Sequence, residues 1–242
     1  MKRDVSLVPF SDEAILVIAA DNSGGIGLKE QDAVRTPYEV VSYYNFRVAA
    51  MECLAAGGQP FSVVIQNFCH EDAWDAVVAG VDKGCTEIGL DDVMVTGSTE
   101  SNFSLHQSAL GMIVMGKRVT SYQEPIVTLE GWKLAVIGLP LVGNEVLETP
   151  ENIVPLSLFY ELSQLDDVVL LPVGSKGILY ELKNMLDDND LAADQLKCDM
   201  DVEKTGGPST CVLIAFRPEL ESLLMEMCEE LYHSIEIVLS DS

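Results

Sequence analysis

The stretch "YEVVSYYNFRVAAMECLAAGGQP" (residues 38–60) decides the fold. Its apolar side chains recur at intervals of three and four residues, which predicts an amphipathic helix over residues 38–58. These side chains are Val41, Tyr44, Val48, Met51 and Ala55. Two glycines followed by Pro60 end the helix, because glycine terminates helices and proline cannot continue them.

Apolar runs of strand length flank this helix. "EAILVIAA" (13–20) precedes it and "FSVVIQN" (61–67) follows it. A second helix is predicted over residues 71–89, and further strands are predicted in "DDVMVTG" (91–97) and "SALGMIVMG" (108–116). Strands and helices that alternate in this way predict an α/β (α+β) fold.

A turn-rich segment with Pro125 and Gly131 separates the two halves of the chain, and we place a domain boundary within residues 118–131. The predicted domains are residues 1–120 and 131–242. In the second, the pattern predicts helices over 157–165, 176–186 and 218–232, and strands over 132–143, 167–174, 209–216 and 234–240. Residues 187–203 are acidic enough for a solvated loop or a short exposed helix.

The composition excludes several classes of protein. With 14 basic and 39 acidic residues the formal charge is −25, which argues against a nucleic-acid partner. No apolar run approaches the roughly 20 residues of a membrane span, and we expect a cytoplasmic protein. The six cysteines form no C-x-x-C pair and are expected to be reduced, buried thiols. The three histidines lie far apart, so a zinc site is not expected.

Residues 18–32, "IAADNSGGIGLKEQD", contain the first candidate for chemistry. A strand ends near Asp21, and the backbone N–H groups of the glycine-rich loop after it are candidates for binding phosphate oxygens. Lys29 is either a phosphate contact or a solvated lysine. The loop fits neither a Walker nor a Rossmann pattern, and its residues are also typical of a tight turn. The loop residues considered are Asn22, Ser23, Gly24, Gly25 and Gly27.

A polar strip with small residues between runs along the helix of residues 38–58, on a different face from its apolar stripe. The strip is Ser42, Asn45, Ala49, Glu52 and Ala56, and an ordinary water-facing surface is an equally open interpretation. Glu100 follows a strand that ends near Gly97, where ligands bind in open α/β sheets. Carboxylates at Asp21, Glu52 and Glu100 would suit Mg²⁺, through which an acidic protein can bind ATP.

Two segments resemble the aminoimidazole ribonucleotide synthetase (PurM-like) superfamily: "TPYEVVSYYNFRVAAMECLAAGGQP" (36–60) and "AVVAGVDKGCTEIGLDDVMVTGSTE" (76–100). Glu52 through Pro60 match the helix signature of the family, with Glu52 where aspartate is usual. Asp21 matches its early metal-binding aspartate. Val95 to Glu100 match "V-x-G-G-[DE]-T" with Gly97 in place and Ser98 for the second glycine. Either Thr99 or Glu100 then fills the acidic position.

The resemblance implies a two-domain fold. In it, an N-terminal mixed sheet with helices carries ATP and metal and forms a dimeric barrel with a second copy, and a C-terminal α/β sandwich domain follows. "LPVGSKGILYEL" (171–182) and "TGGPSTCVLIAF" (205–216) are similar to C-terminal family segments. The implied metal ligands are Asp21, Asp32, Glu52 and Glu100. The implied nucleotide contacts include Asn45, Gly97, Ser98 and Thr99 besides the glycine loop.

The pairing of "DNSGGIG-x-KE-x-D" with "TGSTE" resembles the α-ribazole kinase subfamily. This likeness implies a Mg²⁺-dependent kinase that transfers phosphate from ATP to the 5′-hydroxyl of α-ribazole, a nucleoside-like alcohol, in the salvage of the lower ligand of cobalamin, with Asp21, Glu52 and Lys29 at its centre. His106 either approaches the acceptor hydroxyl or is structural. Another synthase or kinase of the superfamily, such as one acting on a thiamine precursor, and a non-catalytic ATP-binding module remain alternatives.

Overall fold

The computed structural model describes residues 1–238, and the chain divides into two compact units. One unit is Asp4–Tyr122, and the other is Met1–Arg3 together with the chain from Gln123 onward. The predicted strand 234–240 extends past residue 238 and so lies partly outside the described residues. Among residues 1–238, no helix is both long enough and apolar enough to span a membrane. All six cysteines are free thiols, five of them buried, as predicted.

The first unit contains one large sheet with two helices on one face. Its elements are β1 (Val5–Pro9), β2 (Ala14–Gly24), β3 (Ile26–Gly27), β4 (Val34–Arg35), α1 (Tyr38–Ala55), β5 (Gln59–Asn67), α2 (Trp74–Glu87), β6 (Met94–Thr99) and β7 (Ala109–Val119). The sheet order is β1-β2-β7-β5-β6, and only the β5–β6 pair is parallel. β3 and β4 form a separate short parallel pair.

Glycines allow α1 and α2 to pack unusually closely. A Cβ at Gly80 would collide with the Glu39 carbonyl, and one at Gly84 with the Phe46 ring. Glycine at these two positions therefore lets the helix backbones approach each other. α1 ends where Gly57 adopts a positive φ of 76°, so the predicted glycine stop is confirmed.

A fully buried arginine lies within this helix pair. Arg47 is 1% exposed, and its guanidinium hydrogen-bonds the hydroxyl of Tyr43 one turn earlier. Burial lowers the pKa of Arg47, whereas Tyr43, Tyr44 and Glu87 oppose that effect. The Tyr43 hydroxyl in turn donates to the Glu87 carboxylate at 2.7 Å. Arg47 thus connects the middle of α1 to the end of α2.

The second unit is a five-stranded antiparallel sheet with helices, consistent with the predicted α/β sandwich. Its elements are β8 (Lys133–Ile137), α3 (Glu145–Glu148), α4 (Leu156–Ser163), β9 (Val168–Pro172), α5 (Gly177–Leu186), β10 (Leu196–Lys197), β11 (Val212–Phe216), α6 (Glu221–Cys228) and β12 (Tyr232–Ile237). The order is β10-β12-β8-β11-β9. Ile178 and Leu182 of α5 pack in a core with Leu134, Leu171 and Leu213 of the sheet.

Each unit contains one tryptophan in a defined contact. Trp74 begins α2, and a Cβ at Gly97 of β6 would lie 2.9 Å from its ring. Trp132 is 8% exposed, and the Arg217 guanidinium lies 4.3 Å above its ring centre. The first contact helps to hold α2 against the sheet, and the second covers the start of β8.

Candidate functional site

Polar side chains form a row across the first sheet where β2, β5 and β6 end. The register places Ser23 opposite Leu110, Leu110 opposite Asn67, and Asn67 beside Thr99. Asn45 of α1 lies above this end of the sheet, and its Nδ2 donates to the Leu110 carbonyl at 3.2 Å and to Ser23 Oγ at 3.4 Å. We call Ser23, Asn45, Asn67 and Thr99 the polar row. Three of them were predicted as nucleotide contacts, and the structure brings these three to one face.

Asn67 was missed in the sequence and is the best-connected member of the polar row. It is 1% exposed, and its Nδ2 donates to Thr99 Oγ1 at 3.1 Å and to the His70 carbonyl at 2.9 Å. Its Oδ1 accepts the Cys69 N–H at 2.8 Å. Asn67 therefore orients Thr99 and fixes the turn after β5. A polar residue at the end of the apolar run "FSVVIQN" was the signal for it.

Asp21 lies two residues before Ser23, so both side chains point to the α1 side of β2. Burial raises the pKa of the Asp21 carboxyl to about 7, although a hydrogen bond from the Asn22 N–H partly offsets the effect. A nearby cation would favour the charged form of this carboxyl. Cation binding at Asp21 would therefore be coupled to loss of the proton from its carboxyl group.

The other predicted nucleotide contacts are divided between the two faces of the sheet. Asn22 pairs with Gly111 and Gln66 pairs with Ser98, so Asn22 and Ser98 lie on the face away from α1. Gly97, in contrast, faces Trp74 of α2. The structure therefore does not bring all the predicted contacts together on one face, although all of them lie near the same end of the sheet.

The glycine loop after β2 folds back onto Ser108, just before β7. The Gly25 N–H donates to the Ser108 carbonyl at 2.8 Å, and the Gly25 carbonyl accepts the Ala33 N–H at 2.7 Å. Gly25 has a φ of 71°, which favours glycine. Because its N–H already has an acceptor within the protein, Gly25 shapes the loop, and a phosphate bound there would take its N–H donors from the neighbouring residues.

Lys29 and Asp32 are engaged in contacts within the protein. The Lys29 ammonium donates to the carbonyls of Phe68 at 2.8 Å and Gln107 at 3.3 Å. The Asp32 carboxylate accepts the Ser108 N–H at 2.7 Å, the Ser108 hydroxyl at 2.7 Å and the Lys29 N–H at 2.8 Å. Desolvation would raise the pKa of Asp32, but these hydrogen bonds outweigh it and lower the pKa below its usual value.

The four carboxylates predicted as magnesium ligands do not form one preformed cage. Asp32 is bound as described, and Glu100 Oε1 accepts the N–H groups of Asn102 and Phe103. Within residues 1–238, no three His, Cys, Asp or Glu side chains are grouped closely enough to hold a metal ion. Mg²⁺ often binds through one or two carboxylates and substrate phosphates, and Asp21 fits that arrangement. Glu52 lies seven residues after Asn45 on α1 and is half-buried.

His106 lies in the exposed segment between β6 and β7, next to Gln107, whose carbonyl binds Lys29. Its imidazole is exposed to solvent. The position is close along the chain to the polar row, but no contact in the structure assigns His106 a chemical role. An acceptor-side role for His106 therefore stays a prediction.

Two glycines of the loop allow a paired test. A Cβ at Gly27 would lie 2.5 Å from Ser108 Oγ and 2.6 Å from the Tyr38 ring, so Gly27→Ala should cost about 1–3 kcal/mol of unfolding free energy. A Cβ at Gly24 would meet no heavy atom of the described chain within 4 Å. Gly24→Ala should therefore leave the melting temperature unchanged, and it should weaken ATP binding about tenfold only if the loop binds phosphate on the side of Gly24, which is the face away from α1.

Thermal melts and calorimetric titration with ATP measure the two effects. Equal melting temperatures for the two variants would contradict the packing assigned to Gly27. Unchanged ATP affinity in Gly24→Ala would place the phosphates elsewhere.

Comparison with known proteins gives a likeness in structure alone. No family model and no curated protein matches the sequence. Solved structures do match: PurL from Thermotoga maritima complexed with AMPPCP superposes with a TM-score of 0.64 at 12% identity. The match covers 96% of this chain and 42% of the PurL chain, so the chain spans about two fifths of PurL.

Two shorter proteins align over most of their own length. The protein tt0281 from Thermus thermophilus gives a TM-score of 0.62 at 15% identity, covering 99% of this chain and 88% of that one. The hydrogenase maturation protein HypE gives 0.59 at 12% identity, covering 91% and 80%. At such identities the likeness establishes architecture and not chemistry. The chain thus has the fold of PurL and HypE, the PurM-like α/β fold that its sequence resemblance implied.

Proposed function

We propose that the protein is an ATP- and Mg²⁺-dependent phosphotransferase that acts on a small alcohol, with the 5′-hydroxyl of α-ribazole as the acceptor. The observation that carries this proposal is the polar row beside the half-buried Asp21, at the end of the sheet where β2, β5 and β6 finish. T. maritima PurL, which shares the fold, is solved with ATP, ADP and AMPPCP bound.

Transfer of a phosphoryl group needs alignment and charge neutralisation more than covalent help from the protein. Magnesium, held by Asp21 and the nucleotide, would neutralise charge on the phosphate oxygens. The amide of Asn45 and the hydroxyls of Ser23 and Thr99 present neutral hydrogen-bonding groups that can orient a ligand without adding negative charge. Asn67 keeps Thr99 in place. Fixed donors of this kind align reacting groups before reaction begins.

ADP release from Mg·ATP is the direct test. Purified protein should release ADP with α-ribazole and yield a phosphate monoester visible by ³¹P NMR, but should release none with thiamine monophosphate. Turnover with thiamine monophosphate alone would favour the thiamine-related reaction. Binding of Mg·ATP without ADP release, for any alcohol offered, would favour a non-catalytic ATP-binding module. Glu100 accepts hydrogen bonds from the N–H groups of its own turn, and this observation favours the non-catalytic module.

We also propose that two copies associate through the face of the first sheet opposite to α1. Register pairs Ile18 with Met115 and Ile113 with Val64, so apolar side chains continue across β2, β7 and β5 on this face. All four are only partly buried. A second copy that covered this face would remove the apolar surface from water, which suits a homodimer.

Ile113→Asp should therefore weaken self-association at least tenfold, because it places a carboxylate in an apolar contact and repeats it in the partner. Analytical ultracentrifugation over a range of concentrations measures the effect, and circular dichroism shows whether the variant stays folded. Met225→Asp, at a 53% exposed position on α6, is the matched control and should leave association unchanged. A wild-type protein that sediments as a monomer at every concentration would refute this interface.

A further inference from the structure

The loop after β2 is held by Lys29 and Asp32, which the sequence analysis assigned to the ligand, and by Ser108. Lys29, Asp32 and Ser108 contribute six polar groups, and each contacts another part of the protein. These groups are the Lys29 N–H and ammonium, the Asp32 carboxylate, and the Ser108 N–H, hydroxyl and carbonyl. We call the three residues the loop clamp.

The loop clamp joins three segments distant in sequence. The Lys29 ammonium connects the loop to the turn after β5 through the Phe68 carbonyl and to the segment before β7 through the Gln107 carbonyl. The Gln107 side chain returns a hydrogen bond to the Gln31 carbonyl at 2.8 Å. The loop is therefore fixed at several points against the ends of two strands that border the polar row.

Asp32 is the centre of this arrangement. Its two oxygens accept three hydrogen bonds of 2.7–2.8 Å, two of them from Ser108. Three of the roughly four acceptor sites that a carboxylate offers are therefore taken by protein donors, and loss of this carboxylate would leave the Ser108 N–H without its acceptor in a residue that is 1% exposed. Loss of a buried hydrogen-bond partner is costly, so the observed contacts favour a structural use of Asp32.

We infer that Lys29, Asp32 and Ser108 are positioning residues that order the glycine loop in the ligand-free protein, and that they affect a bound nucleotide only through that loop. This inference rests on the proposed function for the identity of the ligand. It differs from the roles that the sequence resemblance implied, in which Lys29 contacts phosphate and Asp32 holds magnesium. Gly25 and Gly27, which contact Ser108, are the backbone that the clamp controls.

The test begins with hydrogen exchange in the ligand-free protein. Asp32→Asn replaces acceptor oxygen by an amide nitrogen, and Lys29→Met removes the ammonium while keeping much of the side-chain volume. Both variants should accelerate exchange at residues 24–33 and 107–109 by about tenfold, because the amides of Gly25, Lys29, Ala33 and Ser108 are bonded within this network. Glu30→Gln, an exposed charge change within the same loop, is the control and should alter nothing.

ATP affinity separates positioning from direct contact. Each single variant should weaken ATP binding about tenfold, and the double variant should lose little more than either single one, because both changes disrupt one network. The Mg²⁺ concentration at half-maximal ATP binding should not change in Asp32→Asn. Losses that multiply in the double variant, or a rise in that Mg²⁺ concentration, would overturn the inference, and so would unchanged hydrogen exchange. Failure of the wild-type protein to bind ATP would refute the proposed function, while the exchange comparison still supports or refutes the clamp.

Discussion

Replacing Asp21 with asparagine should lower ATP turnover roughly 100-fold or more, while raising the melting temperature of the ligand-free protein at pH 8. The first effect follows because Asp21 is the half-buried carboxylate beside the polar row that we propose as a magnesium ligand. The second follows from burial, since an ionised carboxylate loses favourable hydration there. Turnover assays at pH 8 and thermal melts at pH 4 and pH 8 measure both effects.

The raised pKa of Asp21 makes the stability of the protein depend on pH. Its pKa rises from 3.8 to about 7 on folding, so the folded state binds the proton more tightly than the unfolded state. The protein therefore loses stability as pH rises from about 4 to about 7, up to a limit of roughly 4 kcal/mol that solvent contact reduces. An asparagine side chain carries no charge at either pH, so Asp21→Asn should gain about 1–2 kcal/mol at pH 8, equivalent to about 2–8 °C, and little at pH 4.

Asp91→Asn provides the matched control, because Asp91 is an exposed aspartate in the turn before β6 of the same unit. It should leave turnover, melting temperature and pH dependence unchanged. If Asp21→Asn instead melts well below the wild type at pH 8, Asp21 has a structural role that its charged form supports. Retained turnover would remove Asp21 from the proposed chemistry.

Arg47→Ala should destabilise the first unit by about 3–5 kcal/mol, which is a large fraction of the stability of most domains. The change removes the guanidinium that hydrogen-bonds Tyr43 and leaves a void in a helix pair whose glycines already place the backbones in contact. It also leaves the Glu87 carboxylate without its nearby positive charge. Denaturant titration measures the loss. Arg47→Met should lose less, because it keeps most of the side-chain volume.

Lys83 supplies the comparison for Arg47. Its ammonium lies 5.0 Å from the centre of the Tyr43 ring, but the residue is exposed. Lys83→Ala should therefore cost no more than about 1 kcal/mol. Equal losses from Lys83→Ala and Arg47→Ala would show that burial does not set the energy of this contact.

The main elements of the first unit follow from local sequence pattern, whereas the length of β2 does not. The predicted helix of residues 38–58 is α1, Tyr38–Ala55, and the predicted strand 61–67 lies within β5, Gln59–Asn67. β2, however, continues past residue 20 through "DNSG" to Gly24. Polar residues and glycine are weak strand formers, and here pairing with eleven residues of β7 overrides their propensity. β1, Val5–Pro9, was missed for a related reason, since it is a mostly exposed edge strand whose pairing with β2 defines it.

The candidate site could be predicted only in part. Asp21, Ser23 and Asn45 were identified because an acid-to-glycine transition and a polar strip on a helix are visible in the sequence. Asn67 and Ser108 were not identified, because their importance comes from hydrogen bonds to residues that are distant in the sequence. Thr99 lies 32 positions from Asn67, and Asp32 lies 76 positions from Ser108. The division of Asn22 and Ser23 between opposite sheet faces follows from the extended geometry of β2, which the sequence pattern did not show beyond residue 20.

The distribution of the two tryptophans makes the units optically separable. Trp132→Phe would leave emission from the Asp4–Tyr122 unit alone, and Trp74→Phe would leave emission from the other unit alone. Fluorescence unfolding curves of the two variants would therefore report whether one unit melts before the other. Because Trp74 lies against Gly97 in the strand that carries Thr99, its emission also offers a label-free signal for events at the polar row.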